Sequence, residues 1–182
     1  RKILEGIALL EKGAGRSRAG DVRPIAESLL AALRSHPLVE AAEVGGSLRR
    51  WMETVKDVDL LAATGNAAAV TKAFLDLAPD ATLIGSGETK TSIRLSSGLA
   101  VDLRLVSPAE FPFALHYFTG SVAHNVKVRA RALERGMSLN EYGLTRGETV
   151  VASRTEEEVY RALGLEWIPP ELREAGDEIE LA

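Results

Sequence analysis

The sequence predicts an α+β fold in which strands and helices interleave up to Pro108 and short helices dominate beyond it. Three observations carry this reading. Ile25, Leu29, Leu30 and Leu33 recur at helical spacing until His36-Pro37 stops them. Asp57-Val58-Asp59-Leu60-Leu61 and the run from Leu99 to Val106 read as strands, whose side chains alternate between two faces. No Gly-rich dinucleotide fingerprint joins a strand to a helix, so a Rossmann sheet is not expected.

Taken in order, Ile3, Leu4, Ile7 and Leu10 have helical spacing. Gly13, Gly15 and Gly20, set among Lys12, Arg16 and Arg18, separate that segment as a linker or hinge. Asp21 is the expected N-cap of a helix over 22–35, with Pro24 early in it. Val39 to Gly46 reads as a strand, Gly45-Gly46-Ser47 as a turn, and Arg49-Arg50-Trp51 as a short helical piece. Asn66 opens a helix to about Leu77, and strands follow at 81–84, 91–95 and 99–106 around a Ser96-Ser97-Gly98 hairpin. Helices over 111–117 and 122–135 flank Thr119-Gly120-Ser121, and Gly136 closes the second. Short strands fill 139–152, and Thr155 with Glu158 forms a capping box for a helix to Leu163. The acidic stretch from Pro169 reads as a linker to a further domain.

The 182 residues are 46% hydrophobic and 26% charged, which fits a globular core and excludes disorder or a collagen-like chain. No run approaches the roughly 20 apolar residues of a membrane-spanning helix, so no membrane partner is expected. Cysteine is absent, removing disulfides, thiolate catalysis and Cys-based zinc sites, and three scattered His do not make a metal cage. Metal chemistry would have to use carboxylates. No secretory leader is visible, so the chain is expected to be a cytoplasmic piece of a longer protein. Residues 154–182 hold three Lys/Arg against nine Asp/Glu, so the net charge of −4 comes from the tail and says nothing against a nucleic-acid partner elsewhere.

Asp57 and Asp59, two apart on a strand, point to one face. Alone, such a pair is more often a solvated strand end. Asp102 shares a face with Arg104 and Ala100, and a surface Asp beside a surface Arg is its bland account. Three carboxylates on two paired strands are, however, what Mg²⁺ takes when substrate phosphates complete its shell. Two such ions ~4 Å apart activate a hydroxyl and stabilise a leaving pyrophosphate. Gly45-Gly46-Ser47 with Arg50 supplies anion donors close by, although a Gly-Gly-Ser turn is usually only a turn. Gly85 to Thr91 has the flavour of a phosphate loop, but Thr89 stands where the Walker pattern requires Gly.

Gly45-Gly46-Ser47-Leu48-Arg49-Arg50, Asp57-Val58-Asp59, Val101-Asp102-Leu103-Arg104, Tyr117-Phe118-Thr119-Gly120-Ser121 and Leu139-Asn140-Glu141-Tyr142-Gly143 together resemble the palm and thumb of a family X DNA polymerase. His124-Asn125 is closer to the bacterial branch than to the animal polymerase beta. The match spans about residues 22–150 in order.

The resemblance implies a nucleotidyltransferase palm over 21–107, a mixed β-sheet with flanking helices, and a small α/β thumb over 108–168. Residues 1–20 would end the fingers region, and 169–182 would be the acidic linker. Asp57, Asp59 and Asp102 would hold two Mg²⁺ ions, with Mn²⁺ as an alternative, and Asp102 would lie beside the primer 3′-hydroxyl. Gly46, Ser47 and Arg50 would hold the outgoing phosphates. Tyr117, Phe118 and Gly120 would line the sugar, and Asn125 would touch the incoming base. Arg129 would contact the template and Lys90 would reach DNA. Arg104 would switch between Asp59 and the pair Glu141/Tyr142, gating the site.

Three departures accompany the match. Lys56 replaces a small residue before Asp57, Val122 and Ala100 replace an Asp and an Arg of polymerase beta, and the lyase and helix-hairpin-helix elements fall outside this sequence. The expected activity is DNA-directed DNA synthesis by a monomer on primer-template or gapped DNA with dNTP. The rivals are a template-independent nucleotidyltransferase and a non-catalytic DNA-binding module.

Overall fold

The computed structural model describes residues 15–174 and 176–182. The Ile3 to Leu10 segment and Gly13 lie outside the described residues. Strand β1 (Ser17–Arg18) pairs antiparallel with β3 (Thr54–Val55), and the Ala19 N–H donates to Glu53 O at 2.9 Å. The chain therefore enters helix α1 (Ala19–Ser35) already tied to the sheet-bearing domain. This corrects two expectations. Gly20 lies inside α1 and does not break the chain, and Asp21 sits in the first turn while Arg18 takes the N-cap position. Strand pairing holds Arg18 extended, so the helix starts directly after it. Asp21 still favours that end through the helix dipole.

Five strands form a mixed sheet in the order β2 (Ala41–Val44), β4 (Asp57–Ala63), β7 (Ala100–Val106), β6 (Lys90–Arg94), β5 (Thr82–Ser86). β4 and β7 run parallel and the other neighbours antiparallel. Helix α2 (Gly46–Arg49) follows β2. Helix α3 (Ala67–Asp76) follows β4 and is capped by the Asn66 side chain, which accepts from the Ala69 N–H at 3.2 Å. Val58, Leu60 and Ala62 of β4 and Val101, Leu103 and Leu105 of β7 join Ala26, Leu30 and Leu33 of α1 and Val70 and Phe74 of α3 in one core. Both strands thus turn their even-spaced partners, Asp57, Asp59, Asp102 and Arg104, to the opposite face. On that face Leu61 packs against Ala114 and Leu115 of α4 (Phe111–Thr119), which joins the sheet to the second body.

The second body consists of α4, α5 (Val122–Glu134), the antiparallel strands β8 (Ser138–Asn140), β9 (Gly143–Arg146) and β10 (Thr149–Val150), and α6 (Glu156–Ala162). Phe113, Val128, Ala132, Leu139, Leu144, Val159, Tyr160 and Leu163 are its core. Thr155 caps α6 as expected, accepting from the Glu158 N–H at 3.3 Å.

The acidic stretch over 169–182, expected as a linker, is packed onto the second body. Ile168 is buried, and Ile179 and Ala182 pack against the second core. Arg173 is fully buried, donating to Ile168 O at 2.8 and 2.7 Å and to Glu156 at 2.6 Å. Lys127 of α5 donates to Gly176 O at 2.6 Å. A few apolar anchors and one arginine fix a stretch whose composition reads as solvated.

A second polar cluster is buried under the same tail. His124 Nδ1 lies 2.9 Å from Glu178 and its Nε2 lies 2.7 Å from the Tyr160 hydroxyl. The His116 ring meets Tyr160 edge-on at 5.3 Å between centroids. Burial, aided by Arg173, pushes the His116 imidazole from 6.5 down to about 3. Below pH 6.5 the unfolded chain therefore takes up a proton that the folded chain refuses until about pH 3, so stability falls as pH drops through that window. His116→Phe is expected to flatten this slope by up to about 1.4 kcal/mol per pH unit. Urea unfolding of both proteins between about pH 7 and pH 5 measures it. Equal slopes would mean that His116 is charged in the folded protein.

Candidate active site

The register of β4 and β7 sets Asp59 opposite Asp102 and Asp57 opposite Ala100. All three carboxylates stand half-buried on the face away from the α1/α3 core. Burial, then the charges of Asp57 and Asp102, push the Asp59 carboxyl up to about 6 against the opposing pull of Arg104 and Lys90. Lys90, expected to reach DNA, is turned onto Asp102, its Nζ 2.5 Å from Oδ2. Antiparallel pairing of β6 with β7 puts Lys90 opposite Arg104, which directs it there.

Among the described residues, no three acidic or imidazole groups close into a ready-made cation cage. The donors are hard oxygens on a rigid sheet. That chemistry fits a divalent cation that takes the rest of its shell from water and substrate phosphates.

The loop after β2 lies against these carboxylates. The Gly45 N–H donates to Asp59 O at 2.8 Å, and Gly46, at φ +58°, begins α2. The expected turn is thus already the first turn of a short helix. A Cβ on Gly46 would run into Asp59 Oδ2, so only glycine lets the backbone cross there. Ser47 follows, half-buried, in the same turn. At the far end of the helix, Arg50 donates from Nη1 to Thr119 O at 2.5 Å and from Nε to Glu174 at 2.5 Å.

Arg50, Tyr117, Phe118, Gly120, Asn125 and Arg129 line one cleft of about 280 Å³. Gly120 has φ +71° and packs against Arg50, which a Cβ would approach to 3.2 Å. The Tyr117 and Phe118 rings meet edge-on at 5.1 Å. Asn125 donates to Tyr117 O at 2.7 Å, while its buried Oδ1 has no partner among the described residues. The amide is therefore oriented by the backbone with an acceptor left over.

Arg104 is paired with neither Asp59 nor Glu141. Its guanidinium stacks over the Phe118 ring at 4.0 Å, and its buried Nε is without a partner among the described residues. Glu141, Tyr142, Arg104 and Phe118 line a common cleft of about 140 Å³.

Sequence reasoning missed a buried charge network beneath these residues. Arg49 donates to Glu156 at 3.1 and 3.0 Å and to the Thr119 hydroxyl at 2.6 Å. Glu156 also accepts from Arg173 and, at 3.2 Å, from the Trp167 indole. Thr119 is thus held by Arg49 on its hydroxyl and Arg50 on its carbonyl. Glu156 was hidden in a run of three glutamates that reads as ordinary helix-dipole charge. The available signal was Arg173, the only Lys or Arg after Arg161 in a strongly acidic stretch.

Residues 114–174 match the family model of the DNA polymerase beta thumb. The chain is 40% identical to the DNA polymerase/3′-5′ exonuclease PolX of Bacillus subtilis (strain 168), across 98% of this chain and 32% of that protein. The chain belongs to the family X DNA polymerases. Similarity extends to the Repair DNA polymerase X of African swine fever virus (isolate Tick/Malawi/Lil 20-1/1983), 29% identical across 70% of this chain and 78% of the viral protein. The human DNA-directed DNA/RNA polymerase mu is 41% identical across 41% of this chain and 16% of its own length. This family X chain thus spans about a third of the Bacillus relative. The thumb match runs on to residue 174, in agreement with the burial of Arg173 in the second body.

Proposed function

We propose that this family X chain performs template-directed DNA synthesis of the repair type, joining a deoxynucleotide from dNTP to a primer 3′-hydroxyl. The observation that carries the proposal is the parallel register of β4 and β7, which lines up Asp57, Asp59 and Asp102 beside the Gly46-Ser47 turn. The new bond joins the primer O3′ to the α-phosphorus, the bond from that phosphorus to the bridging oxygen breaks, and pyrophosphate leaves with its electrons. Asp57, Asp59 and Asp102 would hold two Mg²⁺, or Mn²⁺, which supply Lewis-acid activation and charge neutralisation.

The rest falls to side chains of this chain. Asp102 sits on the attacking side and receives or orients the hydroxyl proton. Gly46, Ser47 and Arg50 hold the outgoing phosphates. Tyr117, Phe118 and Gly120 shape the sugar pocket, and Asn125 offers its oriented amide to the base. Arg129 faces the template, and Lys90 is free for DNA once another cation relieves Asp102. Arg104, now stacked on Phe118, is placed to move toward Asp59 or toward Glu141 and Tyr142. Most of the rate then comes from positioning and electrostatics. Among the described residues no helix is long and apolar enough to cross a membrane. We assign the chain to the cytoplasm, as a monomer acting on primer-template or gapped DNA.

Extension of labelled primed and gapped DNA with the four dNTPs, with and without template, tests the reading. Incorporation complementary to the template is expected. It should be slow with this chain alone, because Lys127 is occupied by the tail and Lys90 by Asp102, which leaves fewer cations for DNA phosphates. Equal incorporation without template would make the chain a template-independent nucleotidyltransferase. DNA binding without incorporation would make it a non-catalytic module.

A further inference from the structure

Glu174 lies in the stretch that the sequence presents as acidic linker, and the family resemblance gives it no task. The structure puts its carboxylate on Arg50. We propose that Glu174 is a positioning residue of the nucleotide site, holding Arg50 so that its outer guanidinium nitrogens face the triphosphate. The proposal deepens the polymerase reading and rests on it.

Two contacts fix the guanidinium plane. Nε donates to Glu174 Oε1 and Nη1 donates to Thr119 O, both at 2.5 Å. A planar group held at two points cannot rotate, and neither contact uses Nη2. The Arg50 side chain is 13% exposed and that of Glu174 42%, so the carboxylate flanks the arginine from the solvent side. Nη1 and Nη2 keep donors for a ligand in the cleft that Arg50 lines with Gly120 and Asn125.

Both supports are themselves anchored. The carbonyl of Arg173, the residue before Glu174, accepts from the Ser121 N–H at 3.1 Å. The Arg173 guanidinium is buried on Glu156 and on Ile168 O. Thr119 is fixed through its hydroxyl by Arg49. The segment that presents Glu174 is therefore bonded to the same Thr119-Gly120-Ser121 backbone that shapes the cleft. An arginine ordered before the ligand arrives costs less entropy when it binds, which is the advantage such a carboxylate supplies. A carboxylate that merely competed with phosphate would be expected on the outer Nη edge.

The test uses the whole chain and one deoxynucleoside triphosphate with Mg²⁺, reading equilibrium Kd by calorimetry and KM and kcat on gapped DNA. E174A is expected to raise Kd and KM about fivefold, a size suited to a partly exposed pair. The kcat should stay within about twofold, since the lost interaction serves ground state and transition state alike. E174Q, whose amide oxygen still accepts from Nε, should fall nearer wild type, and thermal unfolding should show both variants folded. In an R50A background, removing Glu174 should change Kd no further.

Unchanged or tighter binding in E174A overturns the proposal, the tighter case showing a carboxylate that competes with phosphate. The same loss in the R50A background also overturns it, because the effect would not pass through Arg50. If R50A alone binds nucleotide like wild type, the phosphate role of Arg50 fails and the site reading fails with it. If R50A weakens binding and E174A does not, only the role of Glu174 falls.

Discussion

Asp102→Ala is expected to slow nucleotide incorporation by about a thousandfold or more while changing nucleotide affinity by no more than about twofold. In the proposed site the triphosphate is held by Ser47, Arg50 and the cations on Asp57 and Asp59, whereas Asp102 serves the attacking hydroxyl. The substitution removes the carboxylate from mid-strand without touching the β7 core residues Val101 and Leu103. It also frees Lys90, which now neutralises Asp102. Nucleotide titration together with single-turnover extension separates the two effects. A variant that extends primers at close to the wild-type rate removes Asp102 from the reaction.

Glu156→Ala is expected to destabilise the fold by about 3–5 kcal/mol, the range for taking one partner out of a buried ion pair. Burial acts to raise the Glu156 carboxyl, but Arg173 and then Arg49 hold it down to about 2. Its removal leaves Arg173, fully buried, without its anion, and leaves Arg49 with only Thr119. Glu156→Gln keeps one of the two acceptor oxygens but not the charge, and should lie between. Urea unfolding at neutral pH measures both. A loss below about 1 kcal/mol for Glu156→Ala would show that the arginines find other partners, and that the network is not what fixes Thr119.

Local patterns made most of the fold readable. The alternation in 57–63 and 100–106 fixes which side chains face the core, so the shared face of Asp57 and Asp59 followed from the sequence alone. The caps at Asn66 and Thr155 behave as their side chains dictate. The pairing of the two carboxylate strands was expected, but their register and the sheet order were not readable. That Asp59 stands opposite Asp102 depends on β4 pairing with β7 rather than with β5 or β6, and no local signal sets that order. Gly20 reads as a breaker because its neighbourhood is rich in glycine and charge, yet β1 pairing with β3 overrides it. The tail misled for the opposite reason. Its composition is that of solvated chain, while Arg173 and Ile168 carry the docking. Arg104 and Lys90 were read by family resemblance, which names roles but not the contacts these side chains make without substrate.

The alternation that buries Val58 and Leu60 on β4 and Val101 and Leu103 on β7 has a consequence for how this protein can change length. Adding or deleting one residue within either strand would exchange its two faces, carrying carboxylates into the α1/α3 core and apolar side chains out of it. Such a chain would lose its fold before its chemistry could be tested. The turn at 96–98 lies between Leu95 and Leu99, which are bonded to each other and packed on the core, so insertions are tolerable at its tip. Length changes that leave the three carboxylates aligned are therefore expected in such connections, and within β4 and β7 the alignment depends on the neighbouring valines and leucines staying in the core.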